Sequence, residues 1–237
     1  MPTITSAHNP QLKDLRRLHR RRERDRSETF LVEGEDLVAA AAAAGREPLA
    51  GYRLAGSGLG GPGFADVSQD ALASVSTLGS STRVIAVYRQ AWTAPSGPLC
   101  VYLHGVHDPG NVGTILRGAH AFGASSVAFG PGCADPHGPK AVRASMGAVF
   151  AVALARAAAV DALPGERIAL VAHAGEPLRG TAVEAVTLLV GGEREGLPDE
   201  ILERCDRRAR IPIAAESLNA AMAATVALYE MTRVPTA

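Results

Sequence analysis

Leu99-Cys100-Val101-Tyr102-Leu103, then Asp108-Pro109-Gly110-Asn111-Val112-Gly113-Thr114-Ile115-Leu116-Arg117, then Ser126-Val127-Ala128-Phe129: this stretch reads as strand, loop, helix and strand. Both strands are continuous apolar runs, as in a parallel sheet covered on two faces. The helix expected over residues 111–122 is the crossover between them. Apolar runs at 168–172 and 188–190, with helical stretches expected at 139–146, 155–163 and 198–204, extend the scheme. The C-terminal half is therefore α/β with a largely parallel sheet.

Upstream, Pro95-Ser96-Gly97-Pro98 makes the best linker in the chain, dividing a domain of residues 1–92 from one of residues 98–237. The first contains a helix carrying Leu12, Leu15 and Leu18, a strand Phe30-Leu31-Val32, and a helix over 35–44 closed by Gly45. Tyr52-Arg53-Leu54, Asp66-Val67, a helix-like 68–78 and a strand at 84–88 complete a small α/β domain. The glycine-rich 56–63 segment lacks the lysine of a phosphate-binding loop and reads as a flexible loop.

The chain has 237 residues, 47% hydrophobic, and its 24 Lys+Arg balance 24 Asp+Glu. That neutrality hides a local excess: residues 13–26 hold eight Lys and Arg against three acidic residues. An Arg-rich helix is often only a solvated face, yet this density favours a polyanion, and Lys13, Arg16, Arg20, Arg21, Arg22 and Arg24 are the expected phosphate contacts. Three cysteines without paired spacing argue for a reducing compartment, the cytoplasm. The polar start carries no secretory signal, and no apolar run has the roughly 18 residues needed to span a bilayer.

Three stretches can carry chemistry. Asp108 to Arg117 follows the Leu99 strand, where ligands of open α/β sheets bind. Gly191-Gly192-Glu193-Arg194-Glu195-Gly196-Leu197 follows the strand at 187–190, so that Glu193 projects from a tight backbone excursion. Its glycine spacing is not the dinucleotide fingerprint, which disfavours a nucleotide-dependent oxidoreductase. Ile211-Pro212 precedes Ser217-Leu218-Asn219 and a helix over 220–230, with Ser217 the expected N-cap. On that helix Leu218, Ala221, Met222, Thr225, Val226 and Tyr229 form a seam and the remaining positions are mostly alanine, the pattern of a helix held between two surfaces.

In this order the three stretches resemble the SpoU (TrmH-type) RNA 2′-O-ribose methyltransferases of the SPOUT superfamily. The resemblance rests on Asn111, Gly113 and Arg117, on Gly191, Glu193, Gly196 and Leu197, and on Ile211, Pro212, Ser217, Leu218 and Asn219. Ile4-Thr5-Ser6, Asn9-Pro10, residues 30–34, and Asp135-Pro136 with residues 140–147 extend it over essentially the whole chain. It implies a C-terminal α/β domain tied in a trefoil knot, plus a small N-terminal RNA-binding domain. It implies S-adenosylmethionine bound near Leu189, Gly191, Ile211, Leu218 and Asn219, and a homodimer formed through the C-terminal helix. The implied substrate is structured RNA, ribosomal (23S) ahead of transfer RNA, with no DNA or membrane partner; a non-catalytic RNA-binding protein of the same fold is the alternative. The site residues it implies are Arg117, Asn111, Glu193, Ser217 and Asn219.

Arginine is a poor general base, because guanidinium keeps its proton below pH of about 12. Arg117 is expected instead to clamp a phosphate and lower the 2′-hydroxyl pKa, with Asn111 fixing the loop and Glu193 orienting the arginine through a charge-assisted bond. No metal is implied: His104 and His107 have a usable spacing, but no Cys or carboxylate cluster completes a site. Two departures stand out: Ala220-Ala221-Met222-Ala223 where the family commonly has Val-Ser-Val-Ala, and Gly118 where it favours a small hydroxyl residue.

Overall fold

The computed structural model describes residues 2–77, 82–157, 159–173, 175–180 and 184–233. In chain order the first elements are α1 (Pro10–Arg17), α2 (Arg21–Ser27), β1 (Thr29–Glu33), α3 (Glu35–Ala43), β2 (Ala50–Leu54), β3 (Ala65–Val67), α4 (Gln69–Ala73) and β4 (Val84–Arg89). There follow β5 (Leu99–His104), α5 (Pro109–Ala121), β6 (Ser126–Phe129), α6 (Pro139–Ser145), α7 (Ala148–Ala151) and β7 (Ala153–Arg156). The chain ends with β8 (Glu166–Leu170), β9 (Glu176–Pro177), β10 (Val186–Gly191), α8 (Asp199–Leu202), β11 (Arg207–Arg210) and α9 (Ala220–Thr232). Two compact units result: Met1–Gln90 with Asp135–Phe150, and Ala91–Ala134 with Ala151–Ala237. The segment 135–150, which the sequence groups with the second half, thus clusters with the first unit.

In the first unit the sheet runs β1-β4-β2-β3, antiparallel except for the β2–β3 pair. Asn9 caps α1 by accepting from the Gln11 amide at 2.9 Å, with Pro10 in the first turn, where its missing N–H costs nothing. Leu12, Leu15 and Leu18 then fall on one face and pack against Leu31, Tyr52, Leu72 and Ile85. Helix α4 is shorter than the 68–78 expected, and Leu78 lies outside the described residues. The glycine-rich loop is tied down: Arg53 donates to the Leu59 and Gly61 carbonyls at 3.2 and 3.1 Å while pairing with Asp66 at 2.8 Å.

The basic residues divide into two groups. Arg24 is not a surface cation. It is 4% exposed, its Nε and Nη2 donating to Asp135 Oδ2 at 2.8 and 2.6 Å and its Nη1 to the Leu18 carbonyl at 2.8 Å. The inner face of a short helix and a carboxylate from the 135–150 segment, its side chain 10% exposed, fix it there, so its role is structural. Arg16 donates to Ser74 Oγ at 3.0 Å and to the Ala7 carbonyl at 2.8 Å, and Arg21 lies 3.7 Å from Asp25. Lys13, Arg20 and Arg22 are exposed and make no ion pair among the described residues.

The second unit is a seven-stranded, all-parallel sheet of order β7-β6-β5-β10-β8-β11-β9. The expected helix over 155–163 is absent: the stretch starts in edge strand β7 and continues to a 3-10 turn at Val160–Ala162, with Ala158 outside the described residues. Alanine-rich sequence has helical propensity, but pairing with β6 from Ser126↔Ala153 to Phe129↔Arg156 overrides it. Helix α9 divides the expected seam between a buried and an exposed side. Its small face, Ala220, Ala221, Ala224 and Ala227 with Leu228, is buried, α9 packing on α5 and β10, and Met222, Val226 and Tyr229 stay exposed. Gly118 accounts for the close approach: a Cβ there would sit 3.2 Å from Thr225 Oγ1. That departure from the family pattern therefore serves helix packing.

Removing one partner of a buried, hydrogen-bonded ion pair leaves the other charge uncompensated. Asp135→Ala should lower unfolding stability by about 3 kcal/mol in urea titration; a change under about 0.5 kcal/mol would show that Arg24 finds water instead.

Candidate active site

The site lies at the carboxyl ends of β5, β10, β8 and β11, where parallel strands deliver their loops. The β10–β5 register sets Gly191 beside His104, so the second motif begins next to the loop that leads to the first. Asp108 caps α5 by accepting from the Asn111 amide at 3.0 Å, with Pro109 in the first turn. This cap holds Asn111 at the mouth of the helix. In the second motif Gly196 has φ +66° and its amide donates to the Gly192 carbonyl at 2.9 Å, closing a tight loop. A Cβ on Gly191 would strike the Gly196 carbonyl, and one on Gly192 would strike the Gly105 carbonyl. The glycines are there because backbones touch.

One hydrogen-bond chain joins all three motifs. Asn111 Nδ2 donates to Glu193 Oε1, Asn219 Nδ2 donates to Asn111 Oδ1 at 3.1 Å, and Asn219 Oδ1 accepts from the amides of Ala221 and Met222 at 2.9 and 3.3 Å. The polarity is forced. A carboxylate only accepts, so Asn111 must turn its NH₂ to Glu193 and its oxygen to Asn219, which then faces helix α9 with its own oxygen. Asn219, not Ser217, is therefore the N-cap: the chain stays non-helical through residue 219 and Ser217 is exposed.

A cavity of about 420 Å³ opens beside this chain, lined by Leu170, Val190, the 191–196 loop, Ile211, Ser217 and Leu218 among others. Of the expected cofactor residues, Gly191, Ile211 and Leu218 line it. Leu189 does not, because alternation along β10 turns it into the core at 0% exposure and turns Val190 to the cavity. Asn219 does not line it either, its side chain being engaged in the relay. Strand alternation was the available signal for Val190, and nothing in the sequence marked Leu170, at the end of β8. Arg117 is exposed on α5 and makes no hydrogen bond or ion pair among the described residues. Glu193 does not orient it as expected, since that carboxylate is taken by Asn111. Among the described residues no three His, Cys, Asp or Glu are grouped to hold a metal ion, and no helix is long and apolar enough to cross a membrane.

A parallel α/β sheet with a glycine-bordered cavity at its carboxyl end, bounded by three segments locked together through side-chain amides, defines a ligand-binding α/β domain. Residues 98–229 match the SpoU rRNA Methylase family, and residues 9–52 match the MRM3-like substrate binding domain. The chain belongs to the SpoU rRNA methylase family. It is 31% identical to the 23S rRNA (guanosine(2553)-2′-O)-methyltransferase RlmP of Bacillus subtilis, over 98% of this chain and 99% of that one. An AdoMet-bound rRNA methyltransferase from Sinorhizobium meliloti superposes with a TM-score of 0.85 at 31% identity, covering 97% of this chain and 96% of that one. The SpoU methyltransferase AviRb from Streptomyces viridochromogenes, in complex with AdoMet, gives 0.83 at 26% identity, covering 94% and 97%.

Loss of an N-cap costs about 1 kcal/mol. Asn219→Ala should lower stability by about that much, whereas Asn219→Asp, which caps but cannot donate to Asn111, should retain most of it; equal losses in thermal melts would show that the cap is not what Asn219 supplies.

Proposed function

We propose that this protein transfers a methyl group from S-adenosylmethionine to a ribose 2′-hydroxyl of structured RNA, ribosomal RNA ahead of transfer RNA. The observation that carries the reading is the Glu193–Asn111–Asn219 relay beside the glycine-walled cavity, in a chain of the SpoU family. The activity of the Bacillus relative and the AdoMet in the Sinorhizobium and Streptomyces structures support it.

The cavity suits the cofactor. Its volume is that of a small-molecule site, and its mixture of glycine backbone at 191, 192 and 196 and charged side chains at 193–195 with Ile211 and Leu218 suits a ligand having both a polar chain and an aromatic ring. When bound, that group supplies an electrophilic methyl on a sulfonium. Gly191, Gly192 and Gly196 would hold it through the backbone, with Val190, Ile211 and Leu218 as apolar walls. Asn111 and Asn219 act as positioning residues, keeping the three loops in one arrangement. Arg117, a cation with no competing carboxylate, takes the phosphate beside the target ribose and stabilises the charge that develops on the 2′-oxygen as its proton leaves to water. Exposed Lys13, Arg20 and Arg22 add phosphate contacts from the first unit.

Two structural features belong to this reading. Met222, Val226 and Tyr229, exposed at 58%, 41% and 54% along one face of α9, form the contact of a homodimer. Membership of the SpoU family supports a trefoil knot in the second unit. Cys100, Cys133 and Cys205, which form no disulfide, support a cytoplasmic setting.

Arg117→Ala should abolish methylation while S-adenosylmethionine affinity, read by calorimetry, stays at the wild-type value, and Arg117→Lys should recover little because the planar fork is lost. Near-wild-type turnover of Arg117→Ala would remove this residue from the mechanism.

A further inference from the structure

A second cavity, of about 780 Å³, opens on the other side of the 192–196 loop, lined by the loops after β5 and β6, including His104, His107, Asp108 and Gly132. The sheet order places β10 between the two cavities, so its glycine loop is a thin wall they share. Asp108, Glu193 and Glu195 face this space against a single cation, Arg194. That balance repels a phosphate and favours an uncharged polar ring. The His107 ring lies over Gly132, where a Cβ would come within 3.3 Å of its Cε1.

His104 is held in one tautomer. Tyr102 is 1% exposed, and its hydroxyl, set in the space left by the missing side chain of Gly130, meets His104 Nδ1 at 3.4 Å. Burial pushes the phenol pKa up to about 12, with the Cys133 and Cys205 thiols adding to the shift, so the hydroxyl keeps its proton. Burial also lowers the His104 pKa, outweighing the opposing charge of Glu200, so the neutral ring is favoured. Among the described residues His104 Nδ1 is the one acceptor in reach of the Tyr102 hydroxyl, and a buried O–H donates to the acceptor it has. The Tyr102 proton therefore points at Nδ1, and the ring carries its own proton on Nε2, a donor with no partner among the described residues.

We propose that this second cavity receives the base of the target nucleoside, and that His104 Nε2–H donates to an acceptor atom on that base. The inference rests on the methyl-transfer reading above. His104 is then a specificity residue and Tyr102 a positioning residue that sets its tautomer.

The test uses the full-length protein, an unmodified 23S ribosomal RNA transcript and methyl-labelled S-adenosylmethionine. His104→Phe should lower kcat/KM for RNA by roughly three- to tenfold, mostly through KM, the size of one hydrogen bond between neutral groups, while cofactor affinity is unchanged. His104→Gln, which offers an N–H at similar reach, should recover most of it. Tyr102→Phe should move the His104 ring ¹⁵N shifts from the Nε2–H tautomer to a mixture and cost part of the same factor. Wild-type kcat/KM in His104→Phe, or no recovery in His104→Gln, overturns the assignment. If His104→Phe does not fold, unchanged ¹⁵N shifts and kcat/KM in Tyr102→Phe overturn it. Cofactor binding without methylation of RNA by the wild type overturns instead the functional reading on which it rests.

Discussion

The side-chain amide of Asn111 is the joint on which this site depends. It donates to Glu193 on the loop after β10 and accepts from Asn219 at the start of α9, while the backbone N–H of the same residue donates to the Asp108 cap on α5. An amide can do this because it presents one donor and one acceptor in a fixed plane; a carboxylate or an amine at 111 would lose one of the two bonds. Each of the three loops is otherwise irregular backbone, so their mutual position is a property of this chain of side chains and of the glycines that let backbones meet.

Around that joint, β10 ends in a loop whose two faces serve two cavities. Gly192 and Gly196 let the loop turn tightly between the cavities, Glu193, Arg194 and Glu195 line both, and the Glu193 carboxylate ties the loop to α5. Arg117 stands on the same helix as Asn111, exposed and uncommitted, so the element that is locked to the loops also carries the cation assigned to the phosphate. Rigidity at Asn111 and availability at Arg117 are complementary requirements: a positioned site is of no use if its cation is already neutralised.

Much of this was legible in the sequence, for physical reasons that can be named. The apolar runs at 99–103 and 126–129 are too continuous for strands with a wet face, and both form strands of the parallel sheet. The three motifs reported residues that meet, because tight glycine turns and capped helix starts leave local traces. What failed was long-range. Burial of Arg24 depends on Asp135, more than a hundred residues away, and no local pattern marks it. The 155–163 stretch has helical composition and begins as a strand because an unpaired β6 edge is there to receive it. On α9 local pattern marked a seam and an alanine-rich face without ranking them, and close packing on α5 at Gly118 selected the alanines for the core. The Asn219 cap was displaced from Ser217 by a competing demand, since the same residue must also reach Asn111.

The central claim is methyl transfer to a ribose oxygen of RNA. Its most direct measurement is to incubate the protein with methyl-labelled S-adenosylmethionine and total RNA from cells lacking the gene, and to locate the label by hydrolysis and mapping. The account predicts label at a 2′-O-methyl ribose, at one position of one structured RNA and with 23S ribosomal RNA foremost. Label on a base, or no transfer to any RNA by a protein that binds the cofactor, would contradict it.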